Sequence, residues 1–201
     1  MAVGFFPATV MPDPDWWQAL WPQPSQVFAD LGVTPGMGMA VDLCCGDGLF
    51  TAPLARLAKH VVAIDIDPQM LTLAREKVAA VSNAGTCDFV EGDAYDVAGL
   101  VSHPADLVLI ANTFHGVPNK ARLAHGVAAA LKPGGRFLVI NWHRRPREET
   151  TVLGQPRGPR TEMRMTPEEV AAAVAPAGLR PARVVELLPY HYGAIFEKSA
   201  L

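Results

Sequence analysis

The residues best able to do chemistry crowd into one short run, Ala40 to Thr51, which reads AVDLCCGDGLFT. It holds Asp42, the adjacent thiols Cys44 and Cys45, and then Gly46, Asp47 and Gly48. Two neighbouring cysteines raise a redox couple or a soft-metal site, whereas a Gly-Asp-Gly raises a backbone bent sharply against a ligand. Adjacent strand residues point to opposite faces, so the two sulfurs need not meet. The third cysteine, Cys87, is expected on another strand, so no metal-ligand spacing emerges and no metal site is expected. Asp65 lies 19 residues beyond Gly46, at the end of the next apolar run, where an acid can accept hydrogen bonds from ribose hydroxyls. The pyrophosphate fingerprint fails: Leu49, Phe50 and Thr51 follow Gly48 without a third glycine. Asp47 also puts an anion where phosphates need positive potential. A nucleoside-like ligand without phosphates fits better.

These residues need strand ends to carry them. Short apolar runs read as buried strands at Ala40–Cys44, Val61–Asp65, Cys87–Glu91, Ala105–Ala111 and Arg136–Trp142. Helical segments are expected between them at Leu49–Lys59, Pro68–Val81 and Lys120–Leu131. Asp67-Pro68 is an N-cap with proline at the first helical position, and Thr166 to Glu169 forms a capping box. Two closely spaced runs, Ala182–Leu188 and Tyr190–Glu197, predict a terminal hairpin. The expectation is an α/β fold: a doubly wound, seven-stranded, mainly parallel sheet with an antiparallel C-terminal hairpin. Residues 1–36, rich in proline and carrying Trp16, Trp17 and Trp21, read as a helical cap, and residues 37–201 as the main domain.

Composition narrows the classes of function. Among 201 residues, 50% are hydrophobic and the net charge is −3, which gives no electrostatic case for nucleic acid or an anionic membrane. No apolar stretch reaches the roughly 18 residues needed to cross a bilayer, and the start lacks a basic leader. A cytoplasmic protein is expected, monomeric or homodimeric, acting on a small molecule.

The ordered set of motifs resembles the class I S-adenosylmethionine-dependent methyltransferases, of the small-molecule, methyltransferase-domain kind. Val41 to Gly48 looks like that family's first motif. Val62 to Pro68, Val90 to Ala94, Asp106 to Ala111 and Leu131 to Arg136 follow in the family's order. Cys44 departs from the pattern, which most often has glycine there. The resemblance implies S-adenosylmethionine as cofactor and S-adenosylhomocysteine as product. It implies that Cys44, Cys45 and Gly46 lie against the methionyl part, and that Asp65 takes the ribose hydroxyls with Ile66 on the adenine face. Asp93 and Ala94 would read the adenine edge, and Asp42 would organise the turn and the cofactor's ammonium. A quinone-biosynthesis C-methyltransferase and a non-catalytic cofactor-binding regulator are alternatives.

Methyl transfer from a sulfonium is an in-line displacement, so much of the catalysis is positioning, and a base is needed only where the acceptor must lose a proton. Past the fourth and fifth strands stand Asn112, Thr113 and His115, then Asn141, Trp142 and His143. Asn112 is assigned to the cofactor. His115 is the candidate base, and Trp17, Thr113, His115, His143 and Tyr192 are candidates for the substrate pocket. The segment 143–165 carries Arg144, Arg145, Arg147, Arg157, Arg160 and Arg164. They suggest an acidic substrate group, but Glu148, Glu149 and Glu162 partly neutralise them, so a solvated, mobile loop is the stronger expectation.

Overall fold

The computed structural model describes residues 5–199; the outermost ends of the two expected domains, 1–4 and 200–201, lie outside the described residues. Two short helices, α1 (Pro14–Leu20) and α2 (Pro24–Asp30), precede the alternation. Each has proline in its first turn, where a missing N–H costs nothing. The main order is then β1 (Met37–Leu43), α3 (Thr51–Leu54), β2 (Ala58–Asp65), α4 (Pro68–Ala79), β3 (Thr86–Glu91), α5 (Val97–Leu100), β4 (Ala105–Ala111), α6 (Lys120–Ala130) and β5 (Leu131–Trp142). A two-stranded excursion follows, β6 (Thr151–Val152) and β7 (Gln155–Pro156), then α7 (Pro167–Val174), β8 (Leu179–Leu187) and β9 (His191–Lys198).

The seven-stranded sheet has the order β3-β2-β1-β4-β5-β9-β8, with β9 antiparallel to both neighbours. Strand order reverses between β1 and β4, which is where open α/β sheets leave a crevice at their carboxyl ends. β1 and β4 read as nearly unbroken apolar runs because both faces are covered. One face packs on α6 and α7 through Leu123, Val127, Val170 and Val174; the other packs on the tryptophan-bearing N-terminal helices.

One expected helix is corrected. Between β1 and β2 only Thr51–Leu54 is helical, and the chain is already in β2 at Ala58. The parallel register pairs Met37 with Ala58, so the crossover must end there, and Pro53 has no N–H to give the Leu49 carbonyl in a helix that began at Leu49. Gly48 packs so closely on α4 that an added Cβ would meet the Ala74 Cα at 2.7 Å.

The segment 143–165 is also corrected. It is not a solvated loop: Arg164 is fully buried, its guanidinium donating to the carbonyls of Pro159, Arg145 and Arg157 and to Thr150 Oγ1 at 2.9–3.1 Å. The same guanidinium lies 5.1 Å from the centroid of the Trp142 ring. One planar, five-donor group thus supplies the core that this segment lacks in apolar residues.

Candidate functional site

A cavity of about 760 Å³ opens at the carboxyl ends of the strands. The loop leaving β1 forms its floor. Cys44 there has φ +59°, the left-handed region, which explains why glycine is the usual residue in motifs like this one. A β-carbon in that conformation costs roughly 1–2 kcal/mol, and the surrounding fold holds it in place.

Asp65, at the end of β2, faces the cavity with its carboxylate fixed at both oxygens. The Gly46 N–H donates to Oδ2 at 2.8 Å and the Asp67 N–H to Oδ1 at 3.0 Å. Ionised carboxylate oxygens keep further lone pairs for a ligand after accepting one bond each. Burial pushes the Asp65 pKa above the ordinary carboxylate value, opposed by those backbone donors. Asp42 is fully enclosed, accepts from the Thr51 hydroxyl at 2.6 Å, and is pushed up to about 7, chiefly by burial. Asp93 caps the next turn, accepting from the Tyr95 N–H at 2.9 Å.

Cys44, Cys45, Gly46, Ile66, Ala94 and Asn112 line the same cavity. The Asn112 backbone is left-handed at φ +57°, and its buried side-chain amide has no hydrogen-bond partner among the described residues. A buried amide is rarely left unpaired, so this one points to a ligand. The two sulfurs belong to different packing clusters. Burial raises both thiol pKa values, and raises that of Cys87 to about 12, so none favours the thiolate that redox or metal chemistry requires. Among the described residues no group of three His, Cys, Asp or Glu side chains is disposed to hold a metal ion.

The other side of the cavity is built differently. Trp17 and Thr113 line it, and so does His115, whose Nε2 sits 3.2 Å from the Ala8 carbonyl. A carbonyl only accepts, so Nε2 must carry the proton, which leaves Nδ1 as a buried, unpartnered acceptor. Burial lowers the His115 pKa, so the ring is neutral near pH 7. His143 and Tyr192 are corrected: neither lines the cavity. Asn141 pairs with Tyr192 and Trp142 with His191, so side-chain alternation sends Trp142 to the cavity face and Tyr192 to the other. Tyr192 spends its hydroxyl on the Met165 carbonyl at 2.9 Å, and His143 pairs with Glu186 at 2.8 Å.

Sequence reasoning did not assign the remaining walls. The N-terminal segment from Phe5 to Pro12 crosses the cavity, and Arg147, Arg157 and Arg160 enter from the segment after β5. Residues 1–36 are expected as a lid or cap and the arginines as a cluster that could meet an acidic group, but nothing in the residue pattern singles out Phe5 to Pro12, Arg147, Arg157 or Arg160 as the walls.

The strand order and the acid-ended β2 define a nucleoside-binding, doubly wound fold. Residues 41–139 match the family model described as "Methyltransferase domain". The chain is 31% identical over 159 residues to the Ubiquinone biosynthesis O-methyltransferase of Methylobacterium sp. (strain 4-46), covering 74% of this chain and 63% of that one. It is 33% identical over 118 residues to the Demethylmenaquinone methyltransferase of Staphylococcus aureus (strain MRSA252), covering 57% and 47%. A SAM-dependent methyltransferase from Aquifex aeolicus shares the fold, with TM-score 0.72, 23% identity and coverage of 92% and 93%. Residues 41–139 therefore match the type 11 methyltransferase-domain family, and the fold is that of the class I S-adenosylmethionine-dependent methyltransferases. The chain spans less than two thirds of the length of these curated relatives.

The cavity suits that family's cofactor. Carboxylates at the ends of β1 and β2 and just past β3 complement a ligand carrying an ammonium, a sulfonium and hydroxyls but no phosphate, and the orphaned Asn112 amide offers both a donor and an acceptor.

Proposed function

We propose that this chain transfers a methyl group from S-adenosylmethionine to a small-molecule acceptor in the cytoplasm. The observation that carries the reading is Asp65: a carboxylate locked by two backbone amides at the end of β2, facing a single cavity shared with Trp17, Thr113 and His115. The bound cofactor supplies a methyl group already activated by the sulfonium. Asp65 holds and orients the ribose, Asp42 meets the ammonium, and Asn112 anchors the polar tail. The apolar wall, with Trp16 and Trp17, excludes water and presents the acceptor in line. His115 Nδ1 takes the proton of a hydroxyl acceptor. A quinol acceptor is the second reading, favoured by the names of the relatives.

The test is release of S-adenosylhomocysteine across phenols, quinols, thiols, amines and carboxylic acids. Binding of S-adenosylhomocysteine without turnover on any acceptor class would favour the regulatory alternative. On the productive acceptor, His115→Gln is expected to lower kcat about a hundredfold while leaving S-adenosylhomocysteine affinity within twofold. The wild-type rate is expected to rise with pH through a value below the ordinary histidine range, since burial depresses this ring's pKa. A His115→Gln enzyme with wild-type kcat would reject the base role.

A further inference from the structure

We propose that Arg147 and Arg157 form an anion subsite at the far end of the cavity, and that the methyl acceptor is an aromatic acid whose carboxylate they hold. This deepens the methyl-transfer reading and rests on it.

The charge layout comes first. The carboxylates lie on β1, β2 and the turn after β3, while the arginines come from the segment after β5. In the sheet order β3-β2-β1-β4-β5, β5 stands two strands from β1, roughly 10 Å at about 4.8 Å per strand. The cavity is therefore polarised: its acidic half suits the cofactor's ammonium, sulfonium and ribose, and its basic half, about two strands away, offers a place for an anionic group.

The arginines are also uncommitted. Arg144 is paired with Glu169 and Arg160 with Glu162. Arg147 and Arg157 have no carboxylate partner among the described residues, although both line the cavity. Arg147 spends Nε on the Gly158 carbonyl at 3.0 Å, which leaves its terminal nitrogens available. Among the described residues the Arg157 side chain makes no hydrogen bond, and its buried Nε has no partner. A half-buried guanidinium with an orphaned N–H lacks the acceptor that its desolvation calls for.

Both groups are held in place. Arg164 accepts no competing role, since its donors fasten the carbonyls of Arg145 and Arg157. The Arg157 guanidinium lies over the Trp16 ring, 5.2 Å from its centroid, so it is presented beside an aromatic wall. A planar fork next to indole rings matches a carboxylate carried on an aromatic ring, by bidentate hydrogen bonding and stacking together.

The experiment uses the full chain saturated with S-adenosylhomocysteine and measures, by calorimetry, the binding of hydroxybenzoic and hydroxynaphthoic acids beside their primary amides. At least one acid is expected to bind tenfold or more tightly than its amide. That preference is expected to fall at least tenfold in the Arg147→Gln/Arg157→Gln double variant, with S-adenosylhomocysteine affinity unchanged within twofold. Should the double variant lose S-adenosylhomocysteine binding, Arg157→Gln alone, which removes no hydrogen bond of the fold, is read in its place; loss of affinity there too would give the arginines to the cofactor's own carboxylate and overturn the proposal. Equal binding of acids and amides, no binding of either, or an acid preference untouched by the substitutions overturns the proposal. Failure of the wild-type chain to bind S-adenosylhomocysteine would instead overturn the methyl-transfer reading itself.

Discussion

Asp42 and Asp65 sit at the ends of neighbouring strands, yet their surroundings give them different work. Asp65 accepts two backbone donors and still faces the cavity. Replacing it with alanine removes a charge-assisted pair to the ribose and strands the Gly46 N–H, so S-adenosylhomocysteine affinity is expected to fall tenfold or more by calorimetry. Unchanged affinity in a folded variant would remove Asp65 from the site. Asp42 has one hydroxyl partner and full burial, and it titrates near 7. Below that pH the free protein carries a proton there, which the cofactor's ammonium must displace. Cofactor affinity is therefore expected to rise with pH up to about 7 and level off above it, with proton release on binding at pH 6. Calorimetry in buffers of differing ionisation enthalpy measures that release, and Asp42→Asn is expected to abolish it. The same burial costs stability: the unfolded chain ionises this group near 4 and the folded chain near 7. Stability thus falls as pH rises between those values and is flat above.

At the scale of elements, what was legible in the sequence follows how local the cause is. Strands β1 and β4 and the Phe137–Ile140 stretch of β5 announced themselves because burial on both faces leaves a nearly unbroken apolar run. Helix α4 did so through its Asp67 cap, whose side chain accepts from the Gln69 N–H, and α7 through its capping box at Thr166. The short α3 did not, because its length is set by the β1–β2 register rather than by its own residues. The segment around β6 and β7 was illegible for a similar reason: its order comes from one arginine reaching back across up to 19 positions. Arg164→Ala is expected to cost roughly 2–4 kcal/mol, since it leaves several carbonyls and Thr150 without their donor. Hydrogen exchange checks this: faster exchange across 145–163 with unchanged protection in β4 and β5 is expected, and uniform loss of protection would show that the segment is not a separate unit.

At the scale of the whole molecule, the cavity is closed by a segment far from it in sequence. Residues 5–12 lie over the carboxyl ends of the strands, with Phe6 packed edge-on against Tyr95 at 5.4 Å between ring centroids and the Ala8 carbonyl on the His115 ring. Their docking depends on one missing side chain. Gly116 lets the backbone of Pro7 approach so closely that an added Cβ would meet its carbonyl oxygen at 2.2 Å, far inside any tolerable contact. Backbone cannot yield as a flexible side chain does, so Gly116→Ala must lift residues 7–9 away from the strand ends. Gly116 itself has no positive φ, so alanine there carries no strain of its own, and the sheet keeps its packing. The expected result is therefore selective: Tm within a few degrees of wild type, but S-adenosylhomocysteine dissociating at least tenfold faster in stopped-flow measurements as water reaches the cavity. A variant that releases ligand at the wild-type rate would mean that the N-terminal segment covers the site without retaining what it holds.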